Sequence, residues 1–247
     1  MSYKGLANVG ATCYINSLIQ TLFMTPEFRD SIYGWSYNDK IHPQREDSIL
    51  YQLQKLFGRL ELGLSASTSD LIRSFQWQED DAFLQQDIQE FNRVLFEAIE
   101  KSLALSTQPH LIKELYEGQL VHFTKCLQCH CESAREESFQ DLILVIKNLY
   151  ERVYSGCLEL SLQRYIKPEL LDENNLYECG QCGVKVRAQR GVKFVRLPKL
   201  LNLVLQRFHF DYDTLTRNKI NDAFAFPYVL NFNHFFNGYD HIPNKLS

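Results

Sequence analysis

The chain has 247 residues, 45% hydrophobic and 13% aromatic, enough for one large or two small domains with a real core. Its 26 basic and 30 acidic side chains leave a net charge of −4. That argues against nucleic acid as the main ligand, because phosphate binding needs a basic surface, and it suits a basic protein partner. The opening Met1-Ser-Tyr-Lys-Gly-Leu6 has no apolar signal core, and apolar runs such as residues 142–146 are far too short for a membrane span. A cytoplasmic or nuclear protein without a membrane partner is expected.

In chain order, the first informative segment is Gly5-Leu-Ala-Asn8-Val-Gly10-Ala-Thr12-Cys13-Tyr-Ile-Asn16-Ser17. A glycine-punctuated loop runs into an amphipathic stretch in which Ile15, Leu18, Ile19 and Leu22 recur at helical spacing. Thr12 is the predicted N-cap. Cys13 then lies in the first turn, facing the positive end of the helix dipole and several unpaired N–H groups. That field favours thiolate over thiol and makes the sulfur a candidate nucleophile. Asn8, on the loop leading in, could donate its amide to an oxyanion formed on a carbonyl attacked by Cys13. A solitary cysteine is more often a small buried hydrophobe, so the reading depends on the whole string.

The first hundred residues read as helical. Ile49, Leu53, Leu56 and Leu60 form one stripe with Leu50 and Phe57 beside it, and Ser69 is predicted to cap a short helix through Phe75. Ile88, Phe91, Leu95, Ala98 and Ile99 share the face of a stronger helix. After Gly118 the texture changes. Residues 118–126 and 139–146 look extended, 158–166 helical up to Pro168, and 192–197 and 201–210 extended again, the last so apolar that a central strand is predicted. A helical half followed by a sheet-rich half makes an α+β architecture.

Seven cysteines are an odd number, and in a reducing compartment they suggest metal or catalysis over a disulfide framework. Cys126-Leu-Gln-Cys129 and Cys179-Gly-Gln-Cys182 are two C-x₂-C pairs. Each can place two thiolates on one ion from a tight turn, and together they complete the four-sulfur shell of a structural zinc, with no open position for catalysis. His130 and Cys131 sit beside the first pair and could compete as ligands; they are read as bystanders. Cys157 has no partner in this pattern and is expected to be buried.

The string around Cys13 resembles the cysteine box of the ubiquitin-specific proteases, matching at Gly5, Leu6, Asn8, Gly10, Thr12, Cys13, Tyr14, Asn16 and Ser17. The paired cysteines resemble the tip of that family's fingers region. Leu84-Gln-Gln-Asp87-Ile-Gln-Glu90-Phe91 resembles a second signature, whose acidic residues help grip the arginine-containing tail of ubiquitin; carboxylate–Arg forks suit that task. Apart from the resemblance, Asp87 and Glu90 simply favour the positive end of a helix dipole. Asn175-Leu-Tyr-Glu-Cys179, Leu197-Pro198, Leu203-Val-Leu-Gln-Arg207-Phe208 and Phe226-Pro227 also resemble family segments. Gln20-Thr-Leu-Phe23 with Pro26-Glu-Phe-Arg29 resembles the branch that includes the herpesvirus-associated member.

The resemblance implies a papain-like cysteine protease fold spanning residues 5–235. It comprises a helical thumb (about 5–115), zinc-tipped fingers (about 116–200) and an incomplete palm (about 201–235), with a divergent tail at 236–247. It implies hydrolysis of the bond after the C-terminal glycine of ubiquitin, with ubiquitin and ubiquitinated proteins as partners. In that family a histidine in a Gly-His-Tyr-type box accepts the thiol proton, and a later Asp or Asn orients its ring. None of His42, His110, His122, His130, His209, His234 and His241 sits in such a box. The expectation is a domain that stops before its base, with very slow turnover, because nothing protonates the leaving amine or activates water. Two rivals are a ubiquitin-binding protein without turnover and a zinc-dependent scaffold with an inert Cys13.

Overall fold

Helices dominate the first half of the chain and β-ribbons the second. The computed structural model describes residues 4–9, 12–42, 44–75, 88–148, 153–173, 175–211 and 215–236. Two compact units divide the chain, Met1–Leu115 and Tyr116–Ser247. Among the described residues no helix is long and apolar enough to cross a membrane.

The first unit contains β1 (Leu6–Ala7), α1 (Cys13–Phe23), α2 (Pro26–Gly34), α3 (Ile49–Glu61), β2 (Ala66–Ser67), α4 (Ser69–Ser74) and α5 (Ile88–Leu103); α6 (Leu111–Tyr116) closes it. The apolar stripe of α1 is buried at Ile15, Ile19, Leu22 and Phe23. Pro26 opens α2, where its missing N–H costs nothing, and the Ser48 hydroxyl caps α3 by accepting the Tyr51 N–H at 3.4 Å. These helices meet through aromatic side chains. Phe57 packs against Phe23 and Phe28 with ring centroids 5.4 and 6.3 Å apart, and Tyr14 of α1 meets Phe91 of α5 edge-on at 6.0 Å. Burial of each such large apolar side chain contributes roughly 1.5–3 kcal/mol.

Several sequence expectations change here. Thr12 occupies the N-cap position of α1, but its side chain makes no capping bond to the helix. Thr68, not Ser69, holds the N-cap position of α4. Ile88 is 42% exposed, so the buried face of α5 is built from Phe91, Leu95, Phe96, Ile99 and Leu103 instead. The loop expected between α3 and α4 contains β2, which pairs in parallel with β1 in the register Leu6 to Ala66.

The second unit runs β3 (Gly118–Cys126), β4 (Glu132–Phe139), β5 (Asp141–Val145), β6 (Lys147–Asn148), β7 (Val153–Tyr154), α7 (Leu158–Ile166), β8 (Glu169–Leu171), β9 (Tyr177–Cys179), β10 (Val184–Val186), β11 (Ala188–Arg196), β12 (Asn202–Gln206), β13 (Phe208–Asp211), β14 (Thr216–Lys219) and α8 (Asn233–Phe236). A four-stranded sheet in the order β4-β3-β11-β8 forms its spine. Its base packs into a core of Leu120, Phe139, Phe194, Leu162, Ile166 and Phe235. β5 pairs in parallel with β12.

The single strand expected over 201–210 is interrupted at Arg207, whose carbonyl accepts the Ile220 N–H at 2.6 Å. Its guanidinium donates to the carbonyls of Ile220 and Asp222, both at 3.1 Å. Among the described residues β12 pairs with β5 alone, where its composition suggested a partner on each side. Cys157 is half-buried at the N-cap position of α7, not enclosed.

Candidate active site and metal centre

The described residues of the loop before Cys13 are tied down at several points. β1 pairs with β2, and two α1 side chains reach back to it. Gln20 donates its Nε2 to the Lys4 carbonyl at 3.0 Å and Asn16 its Nδ2 to the Ala7 carbonyl at 3.1 Å. The Asn16 Oδ1 accepts the hydroxyl of buried Thr68 at 2.9 Å. Thr12 turns away from the helix. Its hydroxyl oxygen accepts the Val9 N–H at 3.1 Å while its proton goes to the Asn8 Oδ1 at 3.0 Å. That last bond orients the Asn8 amide. With Oδ1 taken as acceptor, the Nδ2 donors of this exposed side chain have no acceptor among the described residues.

Cys13 is exposed and is the first residue of α1. The helix opens with the Asn16 N–H donating to the Thr12 carbonyl at 2.9 Å, which leaves Cys13 at the positive end of the dipole. An exposed sulfur there, with an amide donor on a braced loop, is an arrangement that can attack a carbonyl and receive the resulting oxyanion. Sequence reasoning quoted Asn16 only as part of the string and missed Gln20 and Thr68 as braces; Thr68 carries no local signal.

Of the expected acidic pair, Asp87 lies outside the described residues, and Glu90 is exposed in the first turn of α5. The histidines are scattered. His42 accepts the Asn38 N–H on Nδ1 at 2.9 Å and its ring lies 4.8 Å from that of Trp35. The His122 Nε2 is 3.2 Å from Glu137, and the His209 Nδ1 is 3.4 Å from the Asn218 carbonyl. His110 precedes α6, and His234 is exposed in α8. His241 lies outside the described residues.

The four cysteines converge. β3 ends on Cys126, β9 ends on Cys179, and the β3–β11 register sets Ala188 opposite Cys126, which brings the two hairpin tips together. The sulfurs of Cys126, Cys129, Cys179 and Cys182 all lie within 4.8 Å of one another. Cys129 to Cys179 measures 3.6 Å and Cys126 to Cys182 measures 3.9 Å. A tetrahedral zinc with Zn–S bonds of ~2.3 Å requires edges of about 3.8 Å, so the group fits that ion. The Gln128 and Cys129 N–H groups donate to the Cys126 sulfur at 3.3 and 3.4 Å, support a metal-bound thiolate needs.

After each pair the chain turns through the left-handed region, at His130 (φ 61°) and at Gly183 (φ 69°). His130 thus fills a turn position and lies outside the four-thiol group. Without metal the thiols ionise unequally. The Cys131 N–H lowers the Cys129 thiol to about 6, and the hydrogen bond with Cys129 pushes Cys182 up to about 12.

Known proteins share this arrangement of sequence. The family described as ubiquitin carboxyl-terminal hydrolase matches residues 4–245. Ubiquitin carboxyl-terminal hydrolase 47 of Drosophila melanogaster is 44% identical over 237 residues, covering 95% of this chain and 15% of that protein. The Homo sapiens protein of the same name is 42% identical over 238 residues, covering 94% and 17%. Ubiquitin carboxyl-terminal hydrolase 40 of Mus musculus is 39% identical over 237 residues, covering 92% and 19%. The chain therefore belongs to the ubiquitin carboxyl-terminal hydrolase family, the ubiquitin-specific proteases that its cysteine box resembles. It spans less than a fifth of the length of these relatives.

Proposed function

We propose that the chain is the catalytic domain of a thiol-dependent deubiquitinase that hydrolyses the peptide or isopeptide bond after the C-terminal glycine of ubiquitin. The observation that carries this reading is an exposed Cys13 at the start of α1, following a loop on which Thr12 orients the Asn8 amide. The Cys13 sulfur attacks the glycine carbonyl carbon, and the oxyanion takes a hydrogen bond from the Asn8 Nδ2. The C–N bond then breaks, the amine leaves with a proton, and water cleaves the thioester to release the carboxylate and regenerate the thiol. Asp87 and Glu90 pair with the arginine of the ubiquitin tail. The four thiols hold a structural zinc that pins the β-ribbon tips. Seven unbridged cysteines suit the reducing cytosol or nucleus.

No histidine in these 247 residues has the setting of the family's base. We infer that they turn over ubiquitin very slowly by themselves, and the same observation favours a second reading, ubiquitin binding without turnover. Steady-state release of a fluorophore from the ubiquitin C-terminus, beside Cys13→Ala, separates the two. Turnover lost in the variant supports the deubiquitinase and makes His234 and His241 the candidate bases. Binding without turnover in folded protein supports the second reading. Neither binding nor turnover would leave only the zinc-dependent scaffold. Metal analysis of folded protein tests the zinc: Cys126→Ser or Cys179→Ser is expected to release it, and a metal-free wild type would remove it from the account.

A further inference from the structure

A cavity of about 620 Å³ opens in the first unit, lined by the turn that follows α2 and the turn that follows α5. It shares no residue with the Cys13 loop or the four-thiol group. Its wall is held in shape by the backbone. The Asn38 carbonyl accepts the N–H groups of Ile41 and His42 at 3.2 and 3.0 Å, and the Asn38 N–H goes to the His42 Nδ1 at 2.9 Å. Buried Trp35 sets its ring 4.8 Å from that of His42. The Arg45 guanidinium lies over the rings of Tyr37 and Tyr51, 5.3 and 5.4 Å from their centroids. Those contacts fix the cation without using its N–H groups. Among the described residues the guanidinium has no ion pair or hydrogen bond.

The polar groups of this wall are left as donors. With Nδ1 accepting, the His42 ring carries its proton on Nε2. The Asn38 Oδ1 accepts the Lys40 N–H at 3.0 Å, which leaves the Nδ2 protons. The Ser106 hydroxyl oxygen accepts the Gln108 N–H at 3.1 Å, which leaves its own proton. Against these donors stands one acidic side chain in the lining, exposed Asp39. Apolar surface lies beside them. Ile41 is 57% and Leu105 83% exposed, and both also line an adjoining cavity of about 250 Å³.

We propose that this cavity is a docking site for a short acidic segment of a partner protein. A Glu or Asp carboxylate of the segment meets Arg45 and His42, and a neighbouring apolar side chain covers Ile41 and Leu105. Charge complementarity selects the occupant. A wall of donors suits an acceptor-only group, and a guanidinium with free N–H groups takes a carboxylate through two parallel hydrogen bonds. A small anion by itself would leave Leu105 uncovered, so the apolar neighbour belongs to the segment.

Pools of short peptides, randomised around a central Glu-Leu, Gln-Leu or phosphoserine-Leu, test this on the folded 247-residue chain. Retention of each pool is measured, and then the Kd of the best-retained Glu-Leu peptide. The Glu-Leu pool is expected to be retained and the Gln-Leu pool to pass through. Arg45→Gln is expected to weaken the selected peptide roughly 10–100-fold, the worth of a charge-assisted pair. Arg45→Lys, which keeps the charge and loses the fork, should weaken it less. Thr107→Glu places a carboxylate at an exposed position of the same lining and leaves the aromatic contacts of Arg45 in place, so it decides the matter if Arg45→Gln unfolds. It too is expected to abolish binding. No retention of the Glu-Leu pool, equal retention of Glu-Leu and Gln-Leu, or binding indifferent to Thr107→Glu would overturn the proposal. Retention of the phosphoserine pool alone would overturn it in favour of a phosphopeptide site. Ubiquitin takes no part in the assay, so the result is independent of the deubiquitinase reading.

Discussion

Asn8 owes its orientation to Thr12, and that pair defines what a single residue can do at this site. Thr12 could have capped α1; instead its hydroxyl is spent on Val9 and Asn8. Asn8→Ala is expected to slow acylation of Cys13 by a ubiquitin C-terminal ester roughly 100-fold with little change in ubiquitin affinity, because the lost donor acts only on the oxyanion. Single-turnover kinetics checks this, and an unchanged acylation rate would remove Asn8 from the reaction. His130 is the counterpart beside the four-thiol group. It bears a Cβ at φ 61° where the matching turn has Gly183. Strain of roughly 1–2 kcal/mol, less the entropy a glycine adds to the unfolded chain, leaves His130→Gly more stable by about 0.5–1 kcal/mol. Urea unfolding of the zinc-loaded protein measures the difference, and a loss of stability would show that the imidazole contributes more than the turn requires.

Elements are joined at the candidate site by few bonds. Asn16 is the link that ties α1 to both β1 and α4, through the Ala7 carbonyl and the Thr68 hydroxyl. Thr68→Val keeps the shape and removes one bond, at a cost of about 1–2 kcal/mol, while Asn16→Ala also strands the buried Thr68 hydroxyl and is expected to cost about 2–3 kcal/mol. Equilibrium unfolding should rank them in that order; equal losses would mean that the Ala7 bond contributes nothing.

This is also the scale at which the sequence was most and least readable. The strand Gly118–Cys126 and the helix Leu158–Ile166 ahead of Pro168 were legible, because glycine, proline and apolar periodicity act locally. The β1–β2 pairing was not, because two-residue strands carry no pattern of their own. The break at Arg207 depends on the carbonyls of Ile220 and Asp222, which nothing near Arg207 in sequence announces. The four thiols could be read from their spacing, and Cys131 was flagged by its place beside the first pair, but its 3.8 Å approach to Cys179 has no signal in the local sequence.

Across the whole molecule, the four-thiol group belongs to the second of two compact units and the Cys13 loop to the first. Metal removal is therefore expected to raise hydrogen exchange in β3, β9, β10 and β11 and to leave α1, α3 and α5 protected. Exchange rising equally in both units would show that they unfold together. The metal must also displace protons. With Cys129 held at about 6 and Cys182 pushed up to about 12 in the metal-free group, zinc drives off the Cys182 proton at neutral pH and competes for Cys129 as well once the pH falls through about 6. Affinity should rise steadily from about pH 5 to 8, and a flat profile would rule out thiolate ligation.

The central claim is that Cys13 is the sulfur that meets the ubiquitin C-terminus. The direct measurement is reaction of the folded chain with ubiquitin carrying a C-terminal electrophile, the adduct then being mapped by peptide mass spectrometry across all seven cysteines. The account predicts one ubiquitin per chain, attached at Cys13 and absent from Cys13→Ala. Attachment at another cysteine, or no attachment to protein shown to be folded, would contradict it.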